Sequence, residues 1–260
     1  MPEEKQLKKY QIDFGEKGIY DTRNRINDFT GKQWTFSTKS VITKNFVNFY
    51  PEFWLYKYPG ILPIDLLKDL ILTFSKKGYL IFDPFAFLGN TIFAWSTIPQ
   101  SRSFFFKNLN EDLYTQLFKF NPLNYEKVKL NVREHISENV DLIISQIITQ
   151  STNISENNKE KVKLNDFHGN LDNIISRISS NLKFLKPDKY GIFSFTNKII
   201  SEKNVIEKHY IEIGSKIKLA FEMHNLILKA ELIWLQPYIS CNSTNDTRIY
   251  IFQKSDVKYE

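Results

Sequence analysis

Short runs of β-branched and aromatic residues alternate along this chain with stretches whose apolar positions recur at helical spacing, a pattern that predicts strands and crossover helices in a mostly parallel sheet. The first clear strand is predicted over residues 79–82, leading through a loop at 84–90 into a helix near 91–97. A strand at 103–107 follows, then a helix at 111–120 opened by Asn110, a residue type whose side chain caps a first turn. Residues 127–130 and 140–145 read as further strands. The polar stretch 150–165, with its run Ser155-Glu-Asn-Asn-Lys-Glu-Lys, has no apolar face to bury and reads as a long loop. From Asp166, helical spacing links Leu171, Ile174, Ile175, Ile178, Leu182 and Leu185, and Lys186-Pro187 is expected to stop that helix. A strand at 191–195, helical periodicity across 205–221, and two long strands at 226–235 and 248–252 joined by a polar turn complete the pattern. The expected result is seven strands, with helices between the first five and an antiparallel hairpin at the end.

With 260 residues, 42% of them hydrophobic, the chain has enough apolar surface for a full core. Nine glycines and nine prolines are thinly spread, and no linker or internal repeat divides the sequence. One domain over 1–260 is expected, residues 1–75 forming an N-terminal segment ahead of a sheet core at 76–260. A formal charge of +6 and a pI near 9.1 favour an anionic partner such as nucleic acid, although Lys-rich surfaces also follow from AT-rich codons. A single cysteine, Cys241, excludes an internal disulfide and fits a reducing cytoplasm. His135, His168, His209 and His224 lack metal-ligand spacing, so no metal site is expected. The start MPEEKQLKKY lacks a signal peptide's apolar core, and the longest apolar run, 79–95, is broken by Asp83, Gly89 and Asn90, so no membrane span is expected. The aromatic cluster of Tyr50, Phe53, Trp54 and Tyr56 beside Lys57 reads as a packed segment before it reads as a base-stacking surface.

Candidate chemistry concentrates in Lys76-Lys-Gly-Tyr-Leu-Ile-Phe-Asp-Pro-Phe-Ala-Phe-Leu-Gly-Asn-Thr91, an apolar strand that ends in Asp-Pro-Phe and opens through glycine into a helix. This stretch resembles the DPFxGxGT segment of DNA amino-methyltransferases, which methylate adenine N6 or cytosine N4. Collinear pieces extend the resemblance over nearly the whole chain. Upstream, Arg23 to Trp34 and Phe36-Ser-Thr-Lys-Ser-Val-Ile42 are similar to the N-terminal segment of modification methylases; Tyr58-Pro59, Leu62-Pro63 and the helix at 66–74 are similar to the element before the cofactor strand. Downstream, Leu185-Lys-Pro-Asp-Lys-Tyr-Gly-Ile-Phe193, Leu232-Ile-Trp-Leu-Gln-Pro237 and Tyr250-Ile-Phe-Gln-Lys254 are similar to the closing turn and strands. The resemblance implies a class I, Rossmann-like methyltransferase fold and S-adenosylmethionine as cofactor. It places Ser37, Thr38 and Ser40 at the methionine end of that cofactor, Asp83, Pro84, Phe85 and Gly89 in the turn around it, and Asn108 at its ribose.

The departures from the family pattern fall on the groups that do the chemistry. Phe87 stands at the first glycine, where a side chain resists positive φ and fills ligand space. Asn108 replaces an acid and loses the charge assistance that roughly doubles such a hydrogen bond. The catalytic Asp/Ser/Asn-Pro-Pro-aromatic loop corresponds to Gln146, Ile147, Ile148 and Thr149, with neither the prolines that aim a carbonyl nor the ring that stacks on a flipped base. The expectation is a DNA methyltransferase-like protein without activity, kept as a nucleic-acid-binding or non-catalytic subunit of a restriction-modification system, with DNA and a second methyltransferase chain as partners. The rival is a working S-adenosylmethionine-dependent methyltransferase. Neither the interval between the two motifs nor the stretch after Lys254 has room for a large target-recognition domain.

Overall fold

Val140–Ile147 is buried along its whole length, as a strand covered on both faces must be, and its sequence accordingly runs apolar without strict alternation. It lies in the middle of a computed structural model that describes residues 7–37, 40–43, 61–99, 102–107, 139–147, 164–196, 198–201, 208–235 and 246–256. In chain order the elements are β1 (Gln11–Asp13), β2 (Ile19–Asp21), α1 (Gly31–Ser37), β3 (Val41–Ile42), α2 (Ile64–Phe74), β4 (Leu80–Asp83), α3 (Asn90–Ser96), β5 (Ser103–Phe106), β6 (Val140–Ile147), α4 (Leu164–Ser179), β7 (Leu185–Phe195), β8 (Lys198–Ser201), β9 (Lys208–Ile211), α5 (Ile213–Glu222), β10 (Leu226–Leu235) and β11 (Asp246–Lys254).

Seven strands form one sheet in the order β3-β10-β11-β7-β6-β4-β5. β11 runs antiparallel to both of its neighbours, β10 and β7, and every other pairing is parallel. The parallel strands therefore present their carboxyl ends along one edge and their amino ends along the other. Consecutive residues point to opposite faces, which splits Ile81 from Phe82, Leu142 from Ile143 and Ile192 from Phe193. The first of each pair packs under α2 and α3 with Leu67, Ile71 and Ile92; the second packs under α4 and α5 with Leu171, Ile178, Ile217 and Phe221. Phe193 holds the second face together, its ring centroid 4.5 Å from that of Phe221 and 6.1 Å from that of Phe252, in edge-to-face contact.

A Cβ at Gly191 would sit 2.8 Å from Cε2 of the Phe193 ring. Gly191→Ala is therefore expected to displace that ring and cost about 1–3 kcal/mol, read as a lower urea midpoint at unchanged slope.

The expected hairpin is present as β10 and β11, but other expectations are corrected. Lys186-Pro187 does not end a helix. α4 stops at Ser179, a 3-10 turn at Leu182–Phe184 follows, and Lys186-Pro187 lie inside β7. The register jumps from Val140↔Leu185 to Leu142↔Tyr190, so residues 186–189 bulge out of the ladder and the missing N–H of Pro187 breaks no rung. Helical periodicity across 205–221 holds only for α5; Lys208–Ile211 pairs instead with Lys198–Ser201 in a small antiparallel ribbon. The hairpin β1–β2 and the two-residue β3 were not anticipated, being too short to show alternation. The expected helix at 111–120, the strand at 127–130, the aromatic cluster at 46–58 and most of the loop at 150–165 lie outside the described residues. No helix among the described residues is long and apolar enough to cross a membrane.

Candidate functional site

The apolar strand β4 delivers Asp83 to the carboxyl edge next to β6, where the parallel register Phe82↔Ile143 lets Ser145 reach it. The Asp83 side chain is buried, and its Oδ1 accepts from Ser145 Oγ at 2.6 Å and from the Phe85 N–H at 3.0 Å. The turn is clamped from β5 as well: the Lys107 N–H donates to the Asp83 carbonyl at 2.9 Å, and the Ala86 N–H donates to the Lys107 carbonyl at 2.9 Å. Oδ2 of Asp83 is buried and makes no hydrogen bond. Burial pushes this carboxyl up to about 6, against the pull of the Ser145 hydroxyl, the nearby Thr91 side chain and the Phe85 N–H.

Beyond Pro84, the chain passes twice through left-handed backbone. Phe87 has φ 34° and Gly89 has φ 79°, the latter leading into α3. Glycine enters that region freely, whereas phenylalanine enters it at a cost on the order of 1–3 kcal/mol. The Phe87 ring stacks on Phe85 with 5.7 Å between centroids and 6° between planes, and it packs against both core clusters. The left-handed backbone expected of a glycine at this position is thus kept by Phe87, with its ring stacked on Phe85. Asn90, the first residue of α3, is buried with its Nδ2 unpartnered.

Gln146 is buried, and its Oε1 accepts the Leu62 N–H at 2.8 Å. The side-chain carbonyl that could have met a substrate amine instead ties β6 to the entry of α2. Ile147 is also buried and pairs with Phe195, so β6 runs two residues past its expected end at Ser145. Nothing in the sequence terminates the strand there, because the prolines are missing. Ile148 and Thr149 lie outside the described residues, as do Thr38 and Asn108.

Ser37 ends α1, and Ser40 stands beside β3 with its carbonyl accepting the Ile233 N–H at 2.8 Å. β3 is the far edge strand, five strand spacings from β4, on the order of 24 Å. The structure therefore gathers Asp83, Pro84, Phe85, Gly89 and Gln146 along one edge and leaves Ser40 away from them. Ser145 was missed by sequence reasoning; its place at the end of the strand beside β4 is the signal that could have found it. Among the described residues no group of three or more His, Cys, Asp or Glu side chains could hold a metal ion.

No family model and no curated protein matches this sequence. Solved structures do. TrmN from Thermus thermophilus is 14% identical at a TM-score of 0.46 over 74% of this chain, which spans about half (49%) of that one. A methyltransferase from Pyrococcus furiosus is 11% identical at 0.44, over 86% of this chain and 94% of the other. A second Thermus thermophilus protein, assigned as a DNA modification methylase and complexed with S-adenosyl-L-methionine, is 12% identical at 0.35, over 49% of this chain and 50% of its own. The sheet itself is Rossmann-like, mostly parallel with one antiparallel strand, β11.

Proposed function

We propose that this chain is a catalytically inactive relative of the DNA adenine-N6 and cytosine-N4 methyltransferases, retained as a nucleic-acid-binding or non-catalytic subunit of a DNA modification system. The observation that carries the reading is Phe87: held at φ 34° and stacked on Phe85, its ring takes the place where a glycine would let backbone N–H groups approach a ligand. The residues present do not fit S-adenosylmethionine at this turn. The engagement of Gln146 by Leu62 supports the same reading on the side where a target base would enter. The basic composition supports a polyanionic partner.

The rival reading, a working methyltransferase, draws support from the retained backbone path through Phe87 and Gly89.

Nucleic-acid binding is tested by fluorescence anisotropy with labelled single-stranded and duplex DNA. Binding with modest sequence preference is expected at about 50 mM KCl, with a loss of about tenfold or more by about 200 mM. Absence of binding at low salt would remove the nucleic-acid reading and leave the partner-subunit one.

A further inference from the structure

We propose that single-stranded nucleic acid binds along the amino-terminal edge of the sheet, on the surface built by the β1–β2 hairpin and the start of β7, opposite the edge that carries Asp83. The proposal rests on the nucleic-acid reading above and gives it a place.

The segment that follows the hairpin, residues 24–28, is fixed to that edge by hydrogen bonds of long sequence separation. Tyr79 Oη donates to the Arg25 carbonyl at 2.9 Å, the Lys77 N–H donates to Asp28 Oδ2 at 2.9 Å, Asn27 Nδ2 donates to the Thr73 carbonyl at 2.6 Å, and Lys76 Nζ donates to the Asn24 carbonyl. Arg102, with a side chain only 5% exposed, locks the junction by pairing with Asp28 at 3.2 Å and donating to Ser75 Oγ at 2.6 Å.

On this platform basic groups and rings interleave. The Arg23 guanidinium lies 3.5 Å from the Tyr10 ring centroid, Lys189 Nζ lies 4.1 Å from that of Tyr79, and Lys76 Nζ lies 5.7 Å from that of Tyr20. Phe14, which is 51% exposed, sits 6.1 Å from Tyr20 and extends the aromatic surface outward. Rings that alternate with cations offer stacking to bases and charge to a phosphate backbone, the combination used on single strands because their bases are unpaired and splayed.

The charge balance favours the same occupant. Three carboxylates of the region are already held by cations: Asp21 by Arg23 at 2.8 Å, Asp28 by Arg102, and Asp141 by Lys186 at 2.9 Å. Asp13, Glu16 and Asp188 oppose a polyanion without such a partner, but Lys8, Lys9, Arg25 and Lys77 are exposed and form no ion pair among the described residues. Among the described residues of the carboxyl edge, Arg248 is engaged by Glu231 at 2.8 Å and by Asp246 at 3.2 Å, and Lys107 by Asn181 Oδ1 at 3.2 Å.

The test measures anisotropy of a fluorescein-labelled oligo-dT of about twenty nucleotides, long enough to cover a single-strand site. The full chain is compared with the doubly substituted Arg25→Glu/Lys77→Glu protein and with a control of equal charge change on remote elements, Lys218→Glu/Lys229→Glu. The edge variant should bind at least about tenfold more weakly, with a salt slope shallower by about 1.4 for two lost phosphate contacts, while the control stays within about threefold. Phe14→Ala should weaken binding about fivefold or more through lost stacking. All these side chains are exposed, so circular dichroism melting should be unchanged. Equal losses in edge and control variants, or displacement of the oligonucleotide by polyglutamate as readily as by unlabelled oligo-dT, would overturn this site while leaving nucleic-acid binding intact. A wild-type chain that binds no oligonucleotide at all would overturn both.

Discussion

Incubated with tritiated S-adenosylmethionine and mixed-sequence DNA, the purified chain is expected to transfer no methyl group above background. On the proposed reading, transfer would require the donor in the turn after β4 and the flipped base beyond β6 at the same time, where Phe87 stacks on Phe85 and the Leu62 N–H engages Gln146. Single repairs should be silent for that reason. The combined change Gln146→Asp, Ile147→Pro, Ile148→Pro, Thr149→Tyr should also be silent unless Phe87→Gly, Leu88→Ser and Asn90→Thr accompany it. The structure adds a cost to this repair, since Ile147 is buried and paired with Phe195 and a proline there has no N–H to give to the ladder. Methylated adenine or cytosine from the unmodified chain would promote the rival reading, and activity arising only with a second methyltransferase chain would identify this one as the non-catalytic half.

The second large effect is a stability that declines as pH rises. Asp83 is raised from 3.8 to about 6 in the folded protein, chiefly by burial, so the folded state holds its proton more tightly than the unfolded state does. The corresponding stabilisation is fully present below about pH 4 and is lost as pH rises through about 6, a difference of about 3 kcal/mol. Asp21 works in the opposite direction, held down to about 2 by the hydrogen bond from Arg23, and its contribution fades as the medium becomes more acid. Comparison with Asp83→Asn isolates the buried group, because an amide oxygen can still accept from Ser145 and Phe85. Between about pH 4.5 and 7.5 the stability difference between wild type and variant, read from urea midpoints, should shift by about 2 kcal/mol in the variant's favour. Parallel pH profiles for wild type and variant would remove the effect.

How far the sequence was legible depends on whether its signals were local. Asp83-Pro-Phe was readable because a strand rich in β-branched and aromatic residues precedes it, whereas the positive φ of Phe87 was not, since a side chain there resists that conformation. The sheet core was readable from the short runs of β-branched and aromatic residues in β4, β6 and β7, as strands covered on both faces require. What stayed hidden depends on partners distant in sequence. Pro187 reads as a helix stop until β6 and β11 supply a register that lets residues 186–189 bulge. Gln146 reads as an amide free to meet a substrate until Leu62 arrives from 84 residues away. Ser145 becomes the partner of Asp83 only once β4 and β6 are adjacent, and the hairpin at residues 11–21 gains its role only when Tyr79, Lys77 and Arg102 fix the following residues Arg25 and Asp28 to the amino edge.

The account turns on whether the aromatic pair Phe85–Phe87 has displaced the methyl donor, and isothermal titration of the purified chain with S-adenosylmethionine tests that directly. No binding, or a dissociation constant no tighter than about 1 mM, corresponding to roughly 4 kcal/mol, is the predicted result, with affinity improved in the Phe87→Gly, Leu88→Ser, Asn90→Thr protein. A micromolar dissociation constant for the unmodified chain would contradict it.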